Sequence, residues 1–528
     1  MNMNKKKITS LFLASLMGVA ALGVTGCGEK TPDDANTIEV SIFNGGWGID
    51  WMKEAEVKFE ALHPEYDVIV KEELLLGKTD SAVKAGPKIT TTDIFFPTDN
   101  LNGLILSGSS VYAGYDVIFE PLDDVYDYKP DGVTSVRDKM GKYTLDAVTY
   151  ENEKEGKSHE YVLPLGTSAA GIIYNKTKFD ALQIAVPRTT DELYDVTCAK
   201  INEVFATPDR MKSAFTDSIK TAYSQYMLDV WWAQYETVDG VVDYWNGRYY
   251  DENGLVKYGP EVFKQKGRLY AAEAYEKMIN PEIKNNHTNI NSMNYMQAQQ
   301  QLFNGNCLMM VNGSWLENEM KIRSSVTTTD ELVFMKTPII SAIREKTPSI
   351  ASDEVLREVI SYVDGDVETK PAGVTDADVE IIRAARNVKY GGSSTGGFIP
   401  AYSSAKVAAK EFLKYLCSED FAQIYFEKTG GNMISFNASA TDLSKASSFI
   451  KSVYQNLSTA MDVTPDPYKY PMACLGGMLR FPGTVAIPAW FSAKNAADRM
   501  TAQEIYDKGL IVGDQGHYDG ILSTAGLI

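Results

Sequence analysis

Residues 37–51 read T-I-E-V-S-I-F-N-G-G-W-G-I-D-W, and the reading of this stretch decides the fold. Ile38, Val40 and Ile42 alternate with Thr37, Glu39 and Ser41, the pattern of a strand with one buried face. A glycine loop around Trp47 follows. Beyond it Trp51, Ala55, Phe59 and Leu62 recur every three or four residues, which predicts a helix with one apolar stripe. Asp50 is placed to cap that helix and Pro64 to stop it. Tyr66–Val70 reads as a second strand, 77–88 as a polar stretch, and Asp93–Phe96 as a third, short strand. Parallel strands need a crossover, usually helical, so strand, helix and strand in this order predict a βαβ unit and an α/β fold.

The same grammar recurs further along. Tyr161–Pro164 is a short extended piece, and Gly171–Tyr174 a strand ending in Asn175-Lys176. Thr189-Thr190-Asp191-Glu192 has the spacing of a capping box. Gln297–Phe303 predicts a short helix, Asn304–Asn306 a turn and Cys307–Val311 a strand. Ser403 or Ser404 can cap a helix carrying Ala408, Phe412 and Leu416. Ser418 can cap the next helix, which ends at Gly430-Gly431. Three regions lack periodicity: an acidic loop over 114–128, a hairpin-rich insertion over 236–259, and a polar, helix-prone surface elaboration over 347–388.

The N-terminus reads as a targeting segment. Lys5-Lys6-Lys7 precede an apolar run, Ile8 to Val24, as in a secretory signal peptide. Val24-Thr25-Gly26-Cys27 resembles the lipobox of bacterial lipoproteins. Residues 1–26 are then expected to be removed, Cys27 to be acylated, and 27–36 to form a solvated tether. Cleavage removes three lysines and no acid, taking the formal charge from −19 to −22. So acidic a chain is a poor partner for nucleic acid or anionic lipid. No second apolar segment is long enough to span a bilayer, so the expected attachment is an anchor on the outer face of the cell membrane. The length exceeds what one hydrophobic core serves, and two or more domains are expected.

Several chemistries find no support. The four histidines, His63, His159, His287 and His517, show no zinc-binding spacing. There is no nucleophile elbow, no phosphate-binding glycine loop and no dinucleotide fingerprint. Asp123, Asp124, Asp127 and Asp131 lack calcium-loop spacing. Neither a metal nor a cofactor is expected. Beyond Cys27 the cysteines are scattered at 198, 307, 417 and 474. Cys307 and Cys417 read as small core residues, and any disulfide pairing is unreadable. Seventy acids make carboxylate pairs inevitable, but nothing singles out two for glycoside hydrolysis.

What the chain has in quantity is aromatic residues beside small polar ones. There are thirty tyrosines and seven tryptophans. They occur in Asn44-Gly45-Gly46-Trp47, Trp231-Trp232-Ala233-Gln234-Tyr235, Tyr244-Trp245-Asn246-Gly247, Asn312-Gly313-Ser314-Trp315 and Pro488-Ala489-Trp490. A sugar ring has an apolar C–H face and a rim of hydroxyls. Flat aromatic faces suit the first, and Asn, Gln, Asp and backbone amides suit the second. Trp47 and Trp315 both follow predicted strands, where α/β sheets bind ligands. Trp51 lies on the helical stripe and belongs to the core. Of Trp231 and Trp232, one is expected to point inward and one outward.

Ordered pieces spread over most of the chain carry a resemblance. They are Ile38–His63, then Asp93–Asn100, Tyr161–Pro164 with Gly171–Lys176, and Pro187–Leu193. Leu302–Asn306, Val311–Trp315, Gly396–Pro400, Ala405–Cys417 and Gly430–Asn432 complete the series. Together they resemble the extracellular solute-binding proteins of ABC importers, sugar-binding family 1, the maltose-binding-like proteins. The resemblance implies a type II periplasmic-binding-protein-like fold, with two α/β lobes, a hinge and several chain crossings. It places 37–163 and 338–398 in lobe I, and 164–337 and 399–528 in lobe II. It implies a monomeric binder, not an enzyme, that takes a carbohydrate between the lobes and delivers it to a membrane permease. Ligand-binding positions carried over are Asn44, Trp47, Asp99, Asn100 and Trp315, then Trp232, Gln234 and Tyr235, and last Trp490. A same-fold binder of a peptide, polyamine or phosphorylated solute is the alternative reading, and a surface glycan-active enzyme a third. The insertion over 347–388 and the tail after Ala460 depart from the simpler family pattern.

Overall fold

The computed structural model describes residues 35–98, 104–105, 111–152, 154–206, 211–221, 223–434, 436, 442–457, 462–463, 470, 472 and 486–524. The signal segment, Cys27, most of the tether, Asp99, Asn100 and Cys474 lie outside the described residues.

The opening unit forms as its periodicity requires. Strand β1 (Thr37–Phe43) leads through the glycine loop into helix α1 (Asp50–Leu62), then β2 (Asp67–Glu73), helix α2 (Lys78–Ala85) and β3 (Ile94–Phe96). The three strands form a parallel sheet in the order β2-β1-β3. Trp51, Met52, Ala55 and Phe59 are the buried stripe of α1, whereas Leu62, in its last turn, is exposed. Asp50 sits in the first turn and makes no capping bond; Ile49 holds the cap position. The polar stretch after Gly77 is helical because Thr79, Asp80 and Val83 share its inward face.

A hairpin, β4 (Thr149–Asn152) and β5 (Lys157–Glu160), precedes the long strand β6 (Leu163–Asn175). His159 on β5 lies between two carboxylates, with Nδ1 2.8 Å from Asp123 and Nε2 3.0 Å from Glu155. Burial alone would lower the imidazole pKa. The hydrogen bonds to Asp123 and then Glu155 outweigh it and raise the value. A raised folded pKa gives stability that is complete below the ordinary histidine value of about 6.5 and is lost as pH rises through the folded value. The native chain is therefore expected to out-melt His159→Gln at about pH 6, with the gap closing at alkaline pH. Melting temperatures of the two proteins across that range check it; a gap independent of pH would refute it.

Strand β6 is the structural link between two hydrophobic clusters. Its first residues, Leu163 and Leu165, pack in the first cluster, and Ala169, Ile172 and Ile173 in the second. The second lobe then builds with β7 (Ser213–Thr216), helix α3 (Ser224–Glu236), the hairpin β8 (Arg248–Tyr250) and β9 (Val256–Tyr258), strand β10 (Cys307–Gly313), helix α4 (Leu316–Arg323) and β11 (Leu332–Phe334). Helices α5 (Asp353–Asp364) and α6 (Asp376–Asn387) follow. Strand β12 (Val388–Gly397) returns antiparallel to β6, from Tyr390 opposite Ala170 to Gly397 opposite Leu163. The chain re-enters the first lobe with helices α7 (Lys406–Leu416) and α8 (Glu419–Thr429), and β13 (Met433–Ile434) pairs β6 from there. A third passage separates Phe436, in the first cluster, from Phe449 and Ile450 in the second. The large sheet runs β14-β12-β6-β10-β7, where β14 is Asp462–Val463, with β11 and β13 also on β6.

Packing divides the chain differently from the expected lobe boundaries. Residues 338–398 were assigned to the first lobe, but Ile339, Ile343, Leu356, Val359, Ile360, Val379, Ile382 and Val388 join the second cluster. The 347–388 segment is thus a helical pair with buried apolar faces, rather than a surface elaboration. Residues 399–528 were assigned whole to the second lobe, but Ile399, Phe412, Leu416, Phe421 and Tyr425 pack in the first cluster. Only the later part, with Phe449, Phe491, Ile505 and Tyr518, belongs to the second. The apolar stripes of these helices were legible, but not which sheet they cover.

Other local expectations divide similarly. Ser418 caps α8 by accepting the Phe421 amide, and Gly430 ends it with a φ of 73°. Ser403 accepts the Ala405 amide and donates to Asp93, tying the loop before α7 to the strand region, so Ala405 is the cap position. Thr189 accepts the Glu192 amide at 3.1 Å, but the Glu192 carboxylate turns back to the Arg188 amide. The 236–259 segment is half helix, Val238–Trp245, and half hairpin. Cys198, Cys307 and Cys417 are buried thiols. Among the described residues no helix is long and apolar enough to cross a membrane.

Candidate functional site

The glycine loop between β1 and α1 reaches across to the second lobe. The Asn44 amide donates to the Glu73 carbonyl at 2.8 Å, and its side chain to the Glu72 carboxylate at 2.6 Å. Trp51 donates its indole N–H to the Gly48 carbonyl at 3.0 Å. The loop is thus fixed at both ends to the first lobe. Between these ties, Gly46 rests on the second: a Cβ there would lie 3.4 Å from that of Trp315 and 3.5 Å from that of Glu319. The Asn318 side chain donates to the Gly46 carbonyl at 2.7 Å. Helix α4 thus packs directly against the loop backbone at Gly46.

Trp47 is shielded, with 8 % of its surface exposed, yet it belongs to neither hydrophobic cluster. Its ring meets that of Trp315 edge-on at 6.5 Å and 84°. Trp315 in turn meets Tyr226 at 6.0 Å, Tyr226 stacks on Tyr223 at 5.3 Å, and Tyr390 lies 4.7 Å from Tyr226. Edge-on and offset contacts at these distances are the favoured aromatic arrangements. The lobe cores bury Trp51, Trp231 and Tyr425 to 1 % exposure or less, but Trp315, Tyr223, Tyr226 and Tyr390 are each only half-buried. They keep open surface where β10, α3 and β12 approach the glycine loop. Trp315 folds back over Gly313, where a Cβ would lie 2.1 Å from the ring, so that glycine sets the indole's position.

A carboxylate borders this group. Glu319 accepts from the Gln299 side-chain amide at 2.7 Å in a buried pair. Burial, followed by the Glu319 charge, holds both the Tyr223 and Tyr226 hydroxyls above the ordinary tyrosine range. These tyrosines are therefore neutral donors and acceptors at physiological pH. The group presents flat apolar faces, phenolic hydroxyls and amide or carboxylate oxygens. That can hold a ring with one apolar face and a polar rim. Among the described residues no group of three or more His, Cys, Asp or Glu side chains is arranged to hold a metal.

The structure brings together Trp47 and Trp315 of the expected binding positions, with Asn44 anchoring their loop. It takes others elsewhere. Trp231 and Trp232 are both fully buried, correcting the expectation that one faces out. Trp232 donates to Gln265 at 2.9 Å, Gln234 accepts the Ile340 amide at 2.9 Å, and Tyr235 donates to Glu345 at 3.1 Å under the Lys346 ammonium. Their polar atoms serve the second lobe's own interior. Trp490 packs half-buried against that same core, on the short helix Ala486–Ser492 beside the helix Lys266–Ile279. Asp99 and Asn100 lie outside the described residues, although Asp80 on α2 orients the preceding Thr98 through its amide and hydroxyl.

Tyr223, Tyr226, Tyr390 and Glu319 were not singled out by sequence. The available signals for the tyrosines are the i, i+3 spacing of Tyr223 and Tyr226 ahead of the Trp pair and the Gly391-Gly392 step after Tyr390; Glu319 has none.

The family model of the bacterial extracellular solute-binding proteins matches residues 66–423. The chain belongs to that family. Solved structures share the fold at low identity. A protein from work on xylan utilization by the thermophilic bacterium Caldanaerobius polysaccharolyticus superposes with a TM-score of 0.58 at 18 % identity, over 90 % of this chain and 99 % of that one. A chitin oligosaccharide binding protein gives 0.56 at 18 %, over 91 % and 99 %. The GacH receptor of Streptomyces glaucescens, solved without ligand and with acarbose, gives 0.55 at 16 %, over 92 % and 98 %. No curated protein sequence matches the chain. The fold is therefore that of the type II periplasmic-binding-protein-like solute-binding proteins, whose members bind and do not catalyse. The aromatic group formed by Trp47, Trp315, Tyr223, Tyr226 and Tyr390 lies where the glycine loop of the first lobe meets the second.

Proposed function

We propose that this solute-binding protein is the extracellular, lipid-anchored receptor of an ABC importer for a carbohydrate, taken up as an oligosaccharide. The observation that carries the reading is the aromatic group at the junction of the lobes, where shielded Trp47 from one lobe meets half-buried Trp315 from the other. Rings stacked on those faces would be held from both sides, so ligand favours the lobe arrangement in which both tryptophans reach it. The lipobox ending at Cys27 supports anchoring on the outer face of the membrane. A monomer in that position would hand its load to the permease. Acarbose and chitin-oligosaccharide binding by fold relatives supports a sugar over other solutes.

Titration calorimetry on the mature chain tests this, with mono- and oligosaccharides set against peptides, polyamines and phosphorylated solutes. A dissociation constant of about micromolar order is expected for one oligosaccharide class. Binding confined to a non-sugar class would replace the reading.

A further inference from the structure

Helix α4 is rooted in the second lobe, where Leu316 and Met320 are buried in the second hydrophobic cluster. Asn318 lies between them in sequence and is buried as well, but it reaches into the first lobe. Its side-chain amide donates to the Gly46 carbonyl at 2.7 Å. Its carboxamide oxygen abuts Gly430, the residue that ends α8: a Cβ on Gly430 would lie 2.9 Å from Oδ1 and 3.2 Å from the carboxamide carbon. Phe421 and Tyr425 root α8 in the first cluster. One side chain of the second lobe is therefore seated between two separate parts of the first, the glycine loop and the end of α8.

This contact sits beside the aromatic pair. Trp315, Asn318, Glu319 and Ile322 are spaced i, i+3, i+4 and i+7, one face of a helix. That face lies along the loop. Trp315 and Glu319 meet Gly46, the Trp315 ring meets that of Trp47, and Ile322 meets Gly48, where a Cβ would lie 3.4 Å from its Cδ1. The ring and aliphatic contacts are non-directional and let the two surfaces slide. The hydrogen bond from Asn318 has a fixed length and direction, and it holds the carbonyl of the residue just before Trp47.

We propose that Asn318 is a positioning residue of the binding site, a donor latch that holds the Gly46 carbonyl on α4 and so aligns Trp47 with Trp315 across the lobe junction. The latch is made between protein groups, so it stands whichever class of solute binds. A site whose two halves are in register asks less of its ligand. Releasing the latch therefore lowers the affinity for any solute held by both tryptophans.

Hydrogen exchange read by mass spectrometry tests this on the mature chain with no solute added. The reporter is the peptide of residues 43–52, in which the Gly48 amide donates to the Gly45 carbonyl at 3.0 Å. Helix α3 is the internal control. In Asn318→Ala the loop is expected to exchange about twofold to tenfold faster, the factor that corresponds to losing one hydrogen bond. Asn318→Asp separates donor from shape. It keeps the size of the side chain, but at pH 8 its carboxylate offers the Gly46 carbonyl only acceptors. The loop should then exchange at least as fast as in Asn318→Ala, with α3 unchanged in both. A native rate in Asn318→Asp would overturn the proposal, because shape alone would suffice. So would a native rate in Asn318→Ala, or an acceleration shared equally by α3, which would make Asn318 a residue of general stability.

Discussion

Trp51→Ala is expected to cost the protein about 3–5 kcal/mol of stability, the range for removing a large aromatic side chain from a packed core. A domain is typically stable by only about 5–15 kcal/mol, so the loss is a large share of the whole. Trp51 is 1 % exposed and is enclosed by Phe96 at 5.9 Å, Phe421 at 6.2 Å and Tyr425 at 5.0 Å. These neighbours come from β3 and α8, so the indole joins the first βαβ unit to a helix some 370 residues later in the chain, roughly the separation of Trp51 and Phe421. The indole also holds the Gly48 carbonyl, so the substitution loosens one tie of the glycine loop. Trp51→Phe separates the two roles: it keeps most of the buried area and forfeits the hydrogen bond, worth about 0.5–1.5 kcal/mol. Urea unfolding followed by fluorescence gives the comparison. A midpoint for Trp51→Ala close to that of the native chain would contradict the packing account.

The contrast between elements read correctly and those misread follows from the range of the physics involved. β1, α1 and β10 carry their periodicity in a single window, and burial follows it. β6 was seen only at its two ends, because Gly166–Gly171 is a run of small residues with weak strand preference. Partners on both sides, β12 and β10, make it a strand, and no local pattern records partners. The cluster that a helix joins is non-local in the same way. An apolar stripe such as Phe412 and Leu416 specifies that a helix is covered, not by which sheet.

The candidate site was half legible on similar grounds. Trp47 and Trp315 follow strands and sit beside glycines, a local signature of exposed backbone turns. Trp232, Gln234 and Tyr235 share the aromatic-and-amide composition of a sugar site but lie on a helix that the second lobe encloses on most sides. Composition could not separate amides that bind ligand from an amide that receives the Ile340 N–H. Tyr390 becomes a site residue only because β12 pairs with β6 and passes α3, a juxtaposition made by the tertiary fold.

Trp315→Ala should have the opposite signature to Trp51→Ala. The indole is half-buried and its neighbours include Trp47, Tyr226, Gly46 and Gly313, none of them in a hydrophobic cluster's buried set, so little core is lost. The expected stability loss is about 1 kcal/mol or less, in the range of ordinary substitutions outside the core. Its place at the centre of the aromatic group makes the binding loss large. Truncation of a central aromatic anchor typically costs about 2–4 kcal/mol, a fall of roughly 30-fold to 1,000-fold in affinity. Part of that arises indirectly, since Trp47 loses the ring against which it is aligned. Trp47→Ala, which spares Trp315, is therefore expected to weaken binding by less, with melting again nearly unchanged. Calorimetry with the sugar identified for the native chain, paired with melting curves, reads both quantities on the same samples. Affinity of Trp315→Ala within about threefold of native would remove Trp315 from the site, because a difference below 1 kcal/mol is too small for a stacking anchor. A fall in melting temperature as large as that of Trp51→Ala would instead return Trp315 to the core, and the division of labour between these two tryptophans would fail.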